Sequence, residues 1–409
     1  MALLNETQMF ARMAVMRGPV VDTSHDFTAM TPAEVDEAYP LSIYASAQYC
    51  VQVDGTYVDR ADVAPVTDKG LWCDGAFTNY AVNGLLSGAV AGSPGTMPTL
   101  WTFDPAGATQ SSVAISTHKG LPLLTVVAAA DASERQYLPN QYLIVGGTEG
   151  QVLTFSAFSA AETTAVWAAG HPHMLACARN GWDGSGKIAI TATIAYHKMA
   201  PYTVPSGQVG SFYNAGGGYI TSAGGGAITC KVAAPQFCID VKLSPNTLAL
   251  SSGSTTAKPA TIIQREVDLR GPFAVEINAT TAPGDPGAHQ TIWCGSLGAN
   301  DYIHVYRATS TDQVTLKVRA NSTDYSVACG VVADDTDFTL RFAVEFNRVR
   351  WSLNESAAAS LTIKRSASYI LESLGTFYDG TLPAWGSVQS VKIAAGKIAT
   401  DEELEEGWA

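Results

Sequence analysis

Gly181, Gly186 and Lys187 stand in "GWDGSGKI" (residues 181–188) at nearly the spacing of a phosphate-cradling loop. Such a loop needs a Ser or Thr after the Lys to hold magnesium, and a helix opening directly behind it. Here Ile188 takes the hydroxyl's place and an alternating, strand-like run follows. A Gly-rich hairpin turn is the better reading. His171, His173 and Cys177 in "HPHMLAC" place nitrogen and sulfur donors close together, a start for a metal site, but no fourth ligand is evident. Strand-edge histidines are the preferred reading there. Asp334, Asp335 and Asp337 read as a loop before a strand. Trp182, Tyr378 and Trp385 lie in Gly/Asp/Pro-rich loops. Rings carried on loops suggest binding, while for any one of them the alternative is folding back into the core.

Composition sets the frame for these groups. The chain has 409 residues, enough for two or three domains. Charged residues make up 15 % of it, against about 25 % in an average soluble protein. Gly, Ser, Thr and Ala fill the difference, which suits sheets joined by turns better than long solvated helices. The net charge of −13, without a Lys/Arg cluster, argues against nucleic acid as a partner. No run of about 18 apolar residues indicates a membrane span. The start "MALLNETQMFARMAVMRG" lacks the cationic opening of a signal peptide, so none is expected. The seven cysteines, Cys50, Cys73, Cys177, Cys230, Cys238, Cys294 and Cys329, are odd in number and scattered. They are expected as buried free thiols.

Four segments are expected. Residues 1–62 read as an arm with short helices: Asn5 caps one that runs through Met16, and Thr31, Pro32 and Glu34 open a second with a capping box. Such an arm could attach to a partner or pack on its own domain. Residues 63–200 read as a β-rich domain, with strands in "LPLLTVVAAAD", "QYLIVGG", "QVLTFSAFS" and "KIAITATIAYH". In the last of these Ile188, Ile190, Ala192 and Ile194 share one face. Residues 201–255, with "AGGGYITS" followed at once by "AGGGAITC", read as a Gly/Ser-rich connector.

Residues 256–409 carry the strongest pattern. In "DFTLRFAVEFNRVRWSLNES", Phe338, Leu340, Phe342, Val344 and Phe346 alternate with polar or small residues, and Val349, Trp351 and Leu353 resume the alternation after a turn. Period two on both sides of a turn predicts a β-hairpin with one buried face. At roughly 1.5–3 kcal/mol per large apolar side chain, that face is a major part of a core. Phe273, Val275 and Ile277 share a face in "VDLRGPFAVEI", and "DYIHVYRA" and "QVTLKVRA" add two strands. The chain closes with "SVKIAAGKIATDEELEEG", a strand and then a short helix capped by Thr400 with Glu403 returning. The fold expected is mainly β: an antiparallel two-sheet sandwich here, a second β-rich domain before it, and a short helical arm.

The opening strand "VDLRGPFAVEI", the hairpin ending "VRWSLNES" and the closing strand and helix resemble laminin-G-like, concanavalin A-like jelly-roll domains. The likeness covers about 256–409. "HMLACARNGWDGSGKIAIT" resembles the same central hairpin, which would make 63–200 a second sandwich. The resemblance implies glycan contact through loop aromatics, here Trp182, Tyr378 and Trp385. It also implies calcium at the sandwich rim, for which Asn300, Asp301, Asp334 and Asp335 are the candidates. Turn chemistry is the alternative reading of those four. Glycanases on this fold carry a Glu-x-Asp-x-x-Glu strand; the nearest match, Glu266 and Asp268, lacks the third acid, and no catalytic residue is assigned.

A lectin-type domain without a signal peptide and with free cysteines resembles bacteriophage tail-fibre, spike or head-decoration proteins, made in the bacterial cytoplasm and exposed on the virion. That resemblance implies a non-enzymatic structural protein that is a homo-oligomer, a trimer by preference. Its partners would be other virion proteins and a host-surface glycan, with neither nucleic acid nor membrane. The alternative is a glycanase or polysaccharide lyase on the same fold.

Overall fold

A computed structural model of the chain describes residues 23–408, apart from 46–47, 74, 105–107, 131–135, 164–172, 179–187, 199, 205, 207–209, 221–225, 240–246, 251, 254–255, 259, 282–288, 309–310, 365–367 and 380–385. The chain divides into two compact units, one of residues 1–44, 63–75 and 260–409, the other of 45–62 and 76–259. This division cuts the chain differently from the four segments read along the sequence.

The first unit is an antiparallel β-sandwich. Its elements in chain order are β1 (Thr23–Asp26), α1 (Pro32–Ala38), β2 (Val66–Thr67), β3 (Gly70–Cys73), β4 (Ile263–Arg270), β5 (Phe273–Thr281), β6 (Gln290–Gly298), β7 (Asp301–Arg307), β8 (Gln313–Ala320), β9 (Thr323–Val331), β10 (Asp337–Val344), β11 (Arg348–Leu353), β12 (Ala359–Thr362), β13 (Ser368–Leu374), β14 (Gly386–Ala395) and α2 (Asp401–Glu406). One sheet runs β12-β11-β10-β5-β14-β3-β2, with β1 also on β14; the other runs β4-β13-β6-β7-β8-β9. Consecutive strands β4 and β5, and again β13 and β14, change sheets, as in a jelly roll.

The alternation read from the sequence becomes the inner faces. Phe273, Val275 and Ile277 of β5, Leu340, Phe342 and Val344 of β10, and Ile303, Val305, Leu316 and Val318 of β7 and β8 join one core. Phe346 departs from the expected row. The β10–β11 register ends at Val344 opposite Val349, the Glu345 amide donates to the Arg348 carbonyl, and the turn leaves Phe346 71 % exposed. Helix α2 forms as expected: the Glu403 amide donates to Thr400 Oγ1 at 3.1 Å and the Thr400 amide to Glu403 Oε2 at 2.8 Å. The helix covers the outer face of the first sheet, where Leu404 and Trp408 pack on Ala274, Ala343 and Ala394.

Residues 23–44, expected in the arm, are built into the sandwich. Strand β1 pairs with β14, and Phe27, Val35 and Tyr39 are fully buried in the core. Helix α1 carries its full capping box, with Thr31, Pro32 and Glu34 in the expected roles. The β2–β3 turn lies so close to β14 that a Cβ on Gly70, at φ +90°, would stand 2.7 Å from the Val388 carbonyl oxygen, which excludes any other residue. Beneath β1 the Arg265 Nε donates to Glu372, and Trp293 Nε1 donates to Glu372 Oε1 at 2.8 Å. The same guanidinium donates to Thr23 Oγ1 at 3.0 Å and to His25 Nε2 at 2.6 Å. Arginine has no acceptor, so His25 must present a bare Nε2 and carry its proton on Nδ1. The helix expected from Asn5 lies outside the described residues.

The second unit is also antiparallel β. A six-stranded sheet centres on Val152–Thr163 and Gly226–Ile239, and a five-stranded sheet on Gln136–Gly147 and Gly210–Ile220. Thus 201–255, read as a connector, holds two of the unit's long strands; small residues pair through the backbone without needing side-chain bulk. The single strand expected over 187–197 is two, Ile188–Ala189 and Ala195–Lys198, on different sheets. Phe155, Phe237, Leu124, Val126 and Val232 anchor its core.

Candidate binding face

In a sheet the residues opposite one another on neighbouring strands share a face, and every second residue returns to it. On the six-stranded sheet, Ile303, Val305, Leu316 and Val318 point inward, so Tyr302, His304 and Tyr306 of β7 and Thr315, Lys317 and Arg319 of β8 form the outer face. The register lines them up in rows. Ser296, Tyr302, Arg319 and Asp324 stand opposite one another across β6, β7, β8 and β9. The next row is Cys294, His304, Lys317 and Ser326, and the third is Thr291, Tyr306, Thr315 and Ala328.

The loop after β13 lies over these rows and brings Phe377 and Tyr378. The Gly375 amide donates to the Ile292 carbonyl at 3.1 Å, and Gln264 Nε2 donates to the Tyr378 carbonyl at 3.0 Å and to Ser373 Oγ at 2.9 Å. The rings form a continuous ladder. Centroid separations are 4.8 Å for His289–Tyr306, 4.7 Å for Tyr306–His304, 4.7 Å for His304–Phe377 and 4.4 Å for Phe377–Tyr378. Tyr302 meets Phe377 edge-on at 4.9 Å. Pairs of this kind contribute about 0.5–1.5 kcal/mol each beyond their buried area, so the loop is held by its own rings. Tyr302 and His304 are buried beneath it; Tyr306, Phe377 and Tyr378 are half-buried and keep part of each ring in solvent.

The cations of the face lie on one side, and the exposed Asp379 carries a negative charge beside Tyr378 and Cys294 on the other. Lys317 Nζ lies 5.7 Å and Arg319 Cζ 6.0 Å from the Tyr302 ring centroid. Asp324 pairs with Lys317 Nζ at 2.9 Å and with Arg319 Nε at 3.5 Å. Burial opposes the Lys317 charge, but hydrogen bonds to Asp324 and Tyr302 outweigh it and raise its pKa. His304 is pushed down to about 3, first by burial and then by the charges of Lys317 and His289. It is therefore a neutral imidazole whose Nε2 pairs with Thr291 Oγ1 at 2.8 Å. The Tyr378 phenol is raised by burial and by Asp379, and stays protonated as a donor.

Of the three loop aromatics singled out in the sequence, Tyr378 stands on this face, and Trp182 and Trp385 lie outside the described residues. The four rim residues considered for calcium fall at opposite ends of β8. At one end Asp301 Oδ1 accepts from the Asn321 amide at 2.8 Å and Asn300 Oδ1 from Ser322 Oγ at 3.0 Å. At the other, Asp334 Oδ1 accepts from Arg307 Nη2 at 2.7 Å, while Asp335 holds a left-handed turn position at φ +51°. These oxygens do not converge, and Asp334 already shares the Arg307 guanidinium with Asp312. Among the described residues no cluster of three or more His, Cys, Asp or Glu could hold a metal ion. Asp268 is paired with Arg270 at 2.8 Å, and Asp337 accepts from Thr280 Oγ1. His171 and residues 181–187 lie outside the described residues. Among the described residues, Cys50, Cys73, Cys230, Cys238 and Cys294 are buried and Cys329 is half-buried.

Tyr302, His304, Tyr306, Lys317, Arg319, Asp324 and Phe377 went unmarked in the sequence. The first five are the off-beat positions of "DYIHVYRA" and "QVTLKVRA". Rings and cations where a solvent face should carry Ser, Thr or Glu were the available signal.

No family model and no curated protein matches the chain. Three solved structures similar to it are β-sandwich domains. The Ruminococcus gnavus IT-sialidase CBM40 bound to α2,3 sialyllactose is 19 % identical, over 33 % of this chain and 80 % of that one, with a TM-score of 0.28. Domain 4 of AbnA, a GH43 extracellular arabinanase from Geobacillus stearothermophilus, in complex with arabinotriose, is 16 % identical over 37 % of this chain and 76 % of that one, with a TM-score of 0.31. Chicken galectin 2 is 6 % identical over 32 % of this chain and 97 % of that one, with a TM-score of 0.26.

Proposed function

We propose that the sandwich containing residues 260–409 is a glycan-binding module and that the chain is a non-enzymatic virion protein displaying it. The observation that supports this most is the outer face of the six-stranded sheet. Its ring ladder presents partly exposed aromatic edges beside hydrogen-bonding and charged groups in fixed rows. Sugars offer the complement, C–H surfaces that lie on rings and hydroxyls that pair with polar side chains. The opposite outer face is closed by α2. The carboxylate in the rows, Asp324, is engaged by two cations, an arrangement suited to binding more than to paired-acid hydrolysis. Low charge, Gly/Ser/Thr/Ala richness and the lectin-type pattern support placement on a phage particle, as a homo-oligomer contacting a host-surface glycan.

Binding of the full chain to a panel of immobilised bacterial and plant oligosaccharides tests the module. Wild type should retain a defined subset, and Phe377→Ala together with Tyr378→Ala should lower retention at least tenfold, with the thermal transition kept. Retention unaffected by that pair would remove the face from the function. Light scattering tests the virion reading: an oligomer that survives dilution is expected, and a clean monomer that binds sugar would favour a free lectin.

A further inference from the structure

Building on that glycan-binding reading, we infer that the ligand is acidic, and that its carboxylate takes the place of Asp324 between Lys317 and Arg319. The chain as a whole carries −13, yet these two rows hold two cations against one carboxylate, the nearby Asp379 standing apart from them beside Tyr378. The three charges sit on adjacent strands: Arg319 stands directly opposite Asp324, and Lys317 opposite Ser326. Asp324 is 46 % exposed on β9, the last strand of its sheet, and it does not saturate its partners. It lies 2.9 Å from Lys317 Nζ but 3.5 Å from Arg319 Nε, and that buried Nε makes no hydrogen bond. A guanidinium is built to meet a carboxylate with two parallel N–H donors; Arg319 bonds the Tyr302 side chain, but it does not meet Asp324 in that bidentate way.

Asp324 thus marks where a carboxylate sits and is poorly placed to fill the role itself. A sugar acid entering from solvent could exchange with it one for one. The cations would never be left desolvated and unpaired, and the displaced Asp324 would turn to water at the sheet edge. His304 contributes no charge, being neutral, so recognition of the anion rests on Lys317 and Arg319. The Tyr302 ring under both cations fixes their height above the sheet, which places a bound carboxylate beside the Phe377–Tyr378 rings that would carry the sugar.

Matched pairs test this. Oligogalacturonates against their methyl esters, and sialylated oligosaccharides against their desialylated forms, differ in the carboxylate or in the acid sugar alone. On an array the full chain should favour the acidic member of the bound pair about tenfold, as a charge-assisted bidentate contact implies. Raising the salt should shrink the preference. Arg319→Gln should abolish it, and Asp324→Asn, which removes the internal competitor, should increase acid binding severalfold. If neutral members bind equally well, or sulfated sugars are preferred over carboxylated ones, while Tyr378→Ala still abolishes retention, the face binds glycan and the acid inference falls. If no sugar is retained by any variant, the glycan-binding reading falls, and this inference with it.

Discussion

At the scale of single residues, the sandwich rests on two buried polar groups, one a histidine whose charge state is set by burial. His304 has a folded pKa of about 3 against about 6.5 in an unfolded chain. Between those values the unfolded state binds a proton that the folded state refuses, so stability is full above about pH 6.5 and is lost as pH falls. At about 1.4 kcal/mol per pH unit, the loss reaches about 2 kcal/mol by pH 5. Urea denaturation at several pH values should show that slope, and His304→Gln should flatten it; an unchanged slope would mean the imidazole titrates freely. Glu372, fully buried between Arg265 and Trp293, is the second such group. Arg265→Leu should destabilise the sandwich by about 3–5 kcal/mol, because it strands a buried carboxylate. Replacing Arg265 and Glu372 together with apolar residues should cost less than the single change, which a double-mutant cycle would reveal.

At the scale of elements, the β10–β11 hairpin separates what alternation can and cannot show. Phe342 and Phe346 look equivalent in the sequence, two steps apart on one apparent face. Phe342 is fully buried and Phe346 71 % exposed. Phe342→Ala should therefore cost about 3–5 kcal/mol, while Phe346→Ser should stay within about 0.5 kcal/mol; equilibrium denaturation of both checks the register. Alternation tells which residues share a face, but only pairing with the neighbouring strand tells where the face ends. The binding rows were hidden for the same reason. Tyr302, Arg319 and Asp324 are separated along the chain and meet only through register, whereas the Thr400–Glu403 cap is local and was legible in full. Tyr378 was legible because a ring in a Gly/Asp loop is conspicuous, and Phe377 beside it gained its meaning from contact with Tyr302 and His304.

At the scale of the whole chain, the sandwich is assembled from three separate stretches, and the sequence carries no local sign of this. Thr23 pairs with Ile393 and Cys73 with Gly386, contacts between segments with the second unit inserted in the sequence between them. Removing the early stretches would expose the edge of β14 and empty the places of Phe27, Val35, Tyr39 and Leu71. A fragment of residues 256–409, which looks like a domain in the sequence, should consequently lack a cooperative unfolding transition. A fragment that unfolds as sharply as the intact chain would show that residues 23–44 and 63–75 are dispensable. Such long-range closure also predicts slow refolding.

The measurement that bears most directly on the binding face is amide hydrogen exchange of the intact protein, with and without an oligosaccharide it retains. Slowed exchange should be confined to β7, β8, β9 and the loop carrying Phe377 and Tyr378. Protection centred on the α2-covered sheet, or on residues 45–62 and 76–259, with the β7–β9 face unchanged, would contradict a glycan site on the six-stranded sheet.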